Sequence, residues 1–213
     1  MEVKDYMSTN LITVAPNTTV MKALDLMKEH DVHRLPVVEG DKLVGLLTAE
    51  LVAQNSPSMA TSLSVHELNY LLNKTTAKDI MLKQVITVKP TAVLEEAASI
   101  MRQQGIGVLP VLESRGNLVG IITDKDIMDA FIDISGYNTP GSRLFIEINE
   151  DKPGPLEDIS NVLRDHNVNV DTISVYHREG KVQVVLHVDS ENPDEVADFI
   201  AQRGSYLQWK NRE

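Results

Sequence analysis

Apolar residues three and four apart mark two helices in the first half of the chain. One runs through Val20, Ala23, Leu24 and Met27, the other through Leu94, Ala97, Ala98 and Met101. Gly105, just past the second stripe, stands where a left-handed residue would end that helix. Ahead of each stripe a short β-rich run leads through a proline: Leu11 to Val14, and Val85 to Val88. Behind each stripe come two apolar runs of strand length, Leu35 to Val38 with Leu43 to Leu47, and Val108 to Leu112 with Leu118 to Ile122. A closing helical stretch follows each pair, so the pattern predicts β-α-β-β-α, twice. After Phe131 the residues Ile134-Ser135-Gly136-Tyr137-Asn138-Thr139-Pro140-Gly141-Ser142 gather helix-ending and turn-forming types, which predicts a linker over 135–142. Beyond it the pattern reads strand (Arg143 to Ile148), loop (Asn149 to Gly154), helix (Pro155 to His166) and strand (Val168 to Tyr176). Strand (Lys181 to Val188), helix (Asp194 to Arg203) and strand (Tyr206 to Trp209) complete it. Pro155 suits a first helical position, Leu156, Ile159 and Leu163 form a buried stripe, and Arg178-Glu179-Gly180-Lys181 is a hairpin turn.

The two β-α-β-β-α stretches are one motif written twice. Lys4-Asp5-Tyr6-Met7 returns as Lys78-Asp79-Ile80-Met81, and Ile12-Thr13-Val14-Ala15-Pro16 as Ile86-Thr87-Val88-Lys89-Pro90, both at an offset of 74. Leu35-Pro36-Val37 recurs as Leu109-Pro110-Val111. Leu43-Val44-Gly45-Leu46-Leu47-Thr48 recurs as Leu118-Val119-Gly120-Ile121-Ile122-Thr123, where the offset has grown to 75. The added residue falls between Glu39 and Leu43, in a polar turn where insertion costs least. The period exceeds the roughly 20–50 residues of solenoid repeats, so two whole subdomains are expected, over 1–57 and 77–134. The segment 58–76 breaks the symmetry. Ser64-Val65-His66-Glu67 reads as a capping box, with Leu63 and Leu68 as a hydrophobic staple, and predicts a helix over Val65 to Leu72. Leu68, Leu71 and Leu72 would pack on their own repeat or close a dimer face. The final domain is expected over 143–213.

Composition narrows the function. The 213 residues are 42% hydrophobic, enough for real cores. A net charge of −11 with no Lys/Arg block argues against nucleic acid and anionic membrane surfaces as partners. The absence of cysteine removes disulfides, thiol nucleophiles and thiolate metal sites, and fits an intracellular setting. No apolar run approaches the roughly 18 residues of a membrane span. The start Met1-Glu2-Val3-Lys4-Asp5 is too charged for a signal peptide, so the expected location is cytoplasmic. His30 and His33 are three apart but lack a third ligand, and His66, His166, His177 and His187 are scattered, so no metal site is expected. No nucleophile–base arrangement stands out, and no catalytic residue is expected.

The leading Asp-x-Met, the Ile-Thr-Val-x-Pro run, Leu-Pro-Val and Gly-Ile-Ile-Thr-x-x-Asp together resemble a cystathionine-β-synthase (CBS) domain pair, from about Val3 to Phe131. Asp-x-Pro-Gly-Pro-Leu at Asp151 to Leu156 and Asn-x-Asn-Val-x-x-Ile at Asn167 to Ile173 resemble an ACT domain. Together they look like the bacterial acetoin-utilisation (AcuB) family. The resemblance implies an α+β protein: two tandem CBS subdomains packed by pseudo-twofold symmetry, then a ferredoxin-like ACT domain. It implies a non-catalytic regulator that senses AMP, ADP, ATP, NAD or S-adenosylmethionine. The ACT domain would add a second effector or a homodimer contact, and the regulated partner would be an enzyme, in acetoin or carbon metabolism. The alternative is an oligomerising adaptor that binds no nucleotide.

Within that resemblance Asp126 is assigned the ribose hydroxyls, since one carboxylate can accept from both. Thr123-x-x-Asp126 also has the form of a helix capping box, which needs no ligand. The first copy reads Thr48-Ala49-Glu50-Leu51, and leucine accepts no hydrogen bond, so one competent site is expected. Pseudo-twofold packing would bring Asn10, Ile12, Val32 and His33 opposite Ile121 and Thr123, with Ile12 and Ile121 flanking the adenine. His33 and Arg34 would neutralise a phosphate, or else form a basic turn offsetting Glu29 and Asp31. In the ACT-like part, Asp151-Lys152-Pro153-Gly154 ends where a helix begins, and the free amides at that end would take an effector carboxylate, with Asn169 and Asp171 holding an amino group. Against this, Gly154 and Pro155 serve equally to shape a tight turn.

Overall fold

The Thr19 hydroxyl accepts from the Lys22 amide at 3.3 Å and starts helix α1 (Val20–Glu29), whose buried face is Val20, Ala23 and Met27. Strands β1 (Arg34–Glu39) and β2 (Lys42–Thr48) form an antiparallel hairpin that runs directly into α2 (Ala49–Asn55). The second copy repeats this as α3 (Ala77–Ile80), α4 (Leu94–Gln104), β3 (Val108–Leu112), β4 (Leu118–Thr123) and α5 (Asp124–Ile134). Gly105 ends α4 in the left-handed region at φ 65°, as the sequence predicts. This computed structural model describes residues 1–55, 72–148, 153–178, 180–203 and 207–210. The predicted helix over Val65 to Leu72, with its Ser64 to Glu67 cap, falls largely outside them. The chain divides into two units, Met1–Met128 and Asp129–Glu213. No helix among the described residues is long and apolar enough to cross a membrane.

The expected leading strands shrink to single bridges. Val14 donates to Pro36 O (3.0 Å) and accepts from Val38 N (2.9 Å), and Val88 does the same with Pro110 (3.1 Å) and Leu112 (2.9 Å). The next donor of a parallel ladder would be Pro16 or Pro90, which has no N–H, so pairing stops there.

The same register governs how the copies interlock. Val3 N bonds Ala92 O at 2.8 Å and Lys4 N bonds Pro90 O at 3.0 Å. In return Ala77 N bonds Thr18 O at 2.8 Å and Lys78 N bonds Pro16 O at 2.9 Å. Ser8 pairs both ways with Ile121 (2.9 and 3.0 Å), and Leu82 with Leu46 (2.9 Å each way). Each copy's leading segment therefore lies on the other copy, a reciprocal exchange with pseudo-twofold symmetry. In each Asp-x-Met motif the aspartate caps a short helix. Asp79 Oδ2 accepts from Thr76 N at 2.8 Å, and Asp5 Oδ2 from Glu2 N at 2.8 Å.

The motif's methionine fills the space left by a glycine of the opposite copy. A Cβ on Gly45 would sit 2.4 Å from Met81 Sδ and 3.0 Å from Leu82 O, and one on Gly120 would sit 2.4 Å from Met7 Sδ. Gly45→Ala is expected to lower stability by about 1–3 kcal/mol through overpacking. Adding Met81→Ala should recover part of that loss in a denaturation double-mutant cycle. Strictly additive losses would show that this contact is not what excludes a side chain.

The second unit is β5 (Ser142–Ile148), α6 (Pro155–Asp165), β6 (Val170–Arg178), β7 (Lys181–Val188), α7 (Pro193–Arg203) and β8 (Leu207–Lys210). Neighbouring strands of the sheet are antiparallel in the order β6-β7-β5-β8, the ferredoxin-like arrangement that the resemblance to an ACT domain implies. Leu144, Ile146 and Ile148 of β5 and Val182, Val184, Leu186 and Val188 of β7 form one face of the core. Against them pack Ile159, Val162 and Leu163 of α6 and Val196 and Ile200 of α7.

Candidate ligand site between the repeats

Strand β4 ends at Thr123 and α5 begins at the next residue. Thr123 Oγ1 accepts from Asp126 N at 3.4 Å, while Asp126 Oδ2 accepts from Thr123 N at 2.6 Å and from the Thr123 hydroxyl at 2.8 Å. The capping box is thus formed, and all three bonds leave Asp126 Oδ1 uninvolved. In the first copy Thr48 Oγ1 accepts from Leu51 N at 3.1 Å, and α2 starts with no carboxylate at that position. The first copy begins its helix on Thr48 with Leu51 in the place of Asp126, so the turn does not require a carboxylate at that position.

The remaining predicted residues converge from the first copy. Ser8 is bonded to Ile121 of β4 and Val14 to β1, so the chain from Asn10 to Ile12 spans from one copy's sheet to the other's. Asn10 is exposed, while Ile12 and Ile121 are half-buried. Ile12 and Val32 also pack on the first copy's core, which ties the apolar side of this segment to α1 and β1. His33 O accepts from Ala49 N at 2.9 Å, and its counterpart Gly107 O from Asp124 N at 3.2 Å, so both loops are fixed to helix starts.

Arg34 crosses between copies. A Cβ on Gly107 would lie 3.3 Å from an Arg34 guanidinium nitrogen and 2.9 Å from Asp124 Oδ2. The space beside Gly107 is therefore bordered by the first copy's arginine, next to the start of α5. Glu50, the residue after Ala49, belongs to the same rim. Its carboxyl is held below the usual range by its own backbone amide, then by the Thr48 hydroxyl, with smaller contributions from Arg34 and His33. Glu50 and Asp124 were not singled out from sequence. The signal was available, since each directly follows or nearly follows the threonine that ends its strand. Among the described residues no group of three or more His, Asp or Glu is arranged to hold a metal ion.

In the second unit the predicted effector residues do not meet within one chain. Gly154 follows the Ile148 end of β5, whereas Asn169 and Asp171 stand at the Ser142 end, where Ser142 and Val170 both pair with Val188. Asn169 N bonds Asp189 Oδ1 at 2.8 Å, and Asp171 Oδ2 lies 3.2 Å from Nδ1 of the buried His187. Gly154, at φ 119°, precedes Pro155 at the first turn of α6, and Pro153 lies beside it. Asp151 lies outside the described residues.

The family profile of the CBS domain matches residues 3–54 and 77–133, and that of the ACT domain matches residues 142–202. The chain belongs to the CBS-domain family. It is a CBS pair followed by an ACT domain. Three solved structures are similar to the CBS pair. CBSX2 of Arabidopsis thaliana, solved with AMP, is 30% identical, with 62% of this chain and 97% of that one covered at a TM-score of 0.54. The CBS pair of MJ0100, solved with 5′-methylthioadenosine and S-adenosyl-L-methionine, is 30% identical over 62% of this chain and 95% of that one, at a TM-score of 0.51. A Vibrio cholerae protein named for acetoin utilization, AcuB, is 29% identical over 65% of this chain and 95% of that one, at a TM-score of 0.54.

Proposed function

We propose that the CBS pair is a non-catalytic sensor of an adenine nucleotide or related adenosyl compound, with one competent site built on Asp126. The observation that carries this is the Asp126 carboxylate, which keeps Oδ1 outside the cap at a helix start that Arg34 reaches from the other copy. Ribose hydroxyls would bond the carboxylate, Ile12 and Ile121 would flank the base, and Arg34 with His33 would face phosphate or another anionic group. The AMP bound to CBSX2 and the adenosyl ligands bound to MJ0100 support the ligand class. Binding that favours one packing of the two copies over another would pass the signal to a partner enzyme in the cytoplasm. The likeness to AcuB supports carbon metabolism as the setting.

Calorimetric titration of the whole chain with AMP, ADP, ATP, NAD and S-adenosylmethionine tests this reading, with a stoichiometry of one expected. Arg34→Ala should weaken AMP, ADP and ATP by about tenfold while leaving 5′-methylthioadenosine nearly unchanged, since only the phosphates use the guanidinium. Equal losses for both classes would remove Arg34 from the phosphate role. The completed capping box favours a second reading, an adaptor without nucleotide. Silence toward every adenosyl ligand, in protein shown to be free of carried-over nucleotide, would establish it.

For the ACT domain we propose homodimerisation through β6. This edge strand is exposed along most of its length, and Ile173 and Val175 present apolar side chains on it. Twofold antiparallel pairing of β6 with its copy would set one chain's Gly154 end beside the other's Asn169 end, and would assemble the divided effector residues. Val175→Lys should shift the chain from dimer to monomer in sedimentation. A dimer of unchanged affinity would place the contact elsewhere.

A further inference from the structure

The face of the ACT sheet turned away from α6 and α7 carries a groove of about 620 Å³, within the range of small-molecule sites. It follows the strands from Thr172 to Arg178, six residue steps or about 20 Å. Its floor is Phe145 and Val185, and Phe131 and Ile134 of the last turn of α5 line it as well, both more than half exposed. Arg143 donates to Ser135 O and so fixes the end of that helix at one end of the trench. At the other end Arg178 lies 5.9 Å from the Tyr176 ring centre, beside Gln183. Among the described residues the one carboxylate in the lining, Glu147, is paired with Lys181 at 2.7 Å. In a chain of net charge −11, this groove is therefore locally cationic around an apolar middle.

We propose that this groove binds a small elongated anion, an apolar body carrying a carboxylate or a phosphate. The head group takes the Arg178 guanidinium and the Gln183 amide, and the body lies on Val185 and Phe145 against Phe131 and Ile134. A guanidinium held over an aromatic ring still has its N–H donors for an anion, which suits either oxyanion. Covering the exposed apolar side chains supplies the hydrophobic part of the affinity. The site is on the sheet's open face, separate from the Pro153–Gly154 turn and from Asp126, and does not depend on either being a site.

Octanoate, octyl phosphate and octanol, each below its aggregation concentration, serve as probes in amide-shift titrations of the full-length, isotope-labelled chain. The expected result is saturable shifts at Phe145, Ser174 and Val185 with at least one of the two anions, the stronger of them identifying the head group. Octanol should bind about tenfold more weakly. Arg178→Gln, on an exposed side chain, should weaken the anion about tenfold, and Val185→Glu should abolish it. Octanol as tight as the anions, shifts that do not saturate, or an Arg178→Gln protein with unchanged affinity would overturn the proposal.

Discussion

Asp126→Ala is expected to abolish measurable binding of adenosyl ligands while leaving the CBS pair folded. Each ribose hydroxyl that donates to a charged acceptor is worth roughly 1.5–3 kcal/mol. Losing two such bonds lowers affinity by about a hundredfold or more. The same substitution removes the carboxylate half of the capping box, at a cost of about 1 kcal/mol, visible as a modest fall in melting temperature. The two effects are separable because the first copy begins its helix with leucine at the matching position. Asp126→Asn keeps an acceptor for Thr123 N but removes the charge, and should fall between wild type and alanine in affinity. Leu51→Asp supplies the first copy with the missing acceptor, and should raise the stoichiometry toward two. A calorimetric titration in which Asp126→Ala loses stability but keeps its affinity would reduce Asp126 to a cap.

The helices and hairpins were legible because each buries one face, and burial forces periods of 3.6 and 2 onto the sequence. The exchange of leading segments was only half legible. It is held by backbone bonds such as Ser8 to Ile121, which leave no side-chain signature. The Met7–Gly120 and Met81–Gly45 contacts do leave one, yet the sequence does not say which copy's glycine receives which methionine. The cap at Thr123–Asp126 and the proposed site at Asp126 use the same residues, so a four-residue motif does not separate them. Asn169 and Asp171 follow Gly154 by one helix in the sequence, but do not stand beside it in the sheet. In a β-α-β unit the helix returns the chain to the end where the first strand began, and that topology sends the two groups to opposite ends of the sheet.

Gly141→Ala is expected to cause the largest loss of stability in the ACT domain, about 3 kcal/mol or more. At φ 134° the residue lies where side chains are strained, and a Cβ there would stand 2.0 Å from Val188 O and 3.1 Å from His187 Cε1. Val188 is the residue against which Ser142 of β5 and Val170 of β6 both pair. Its carbonyl cannot retreat without opening the end of the three-strand ladder. His187 is equally confined, buried at 5% exposure with Nδ1 3.2 Å from Asp171. Gly154 provides the control, since its φ of 119° is also positive but a Cβ there would meet nothing within 4 Å. Gly154→Ala should therefore show only the backbone strain, about 1–2 kcal/mol. Thermal melting together with hydrogen exchange at the Ser142 and Val188 amides would read the difference. Equal losses for the two substitutions would mean that backbone strain, rather than the closeness of Val188, sets the requirement for glycine where the linker enters β5.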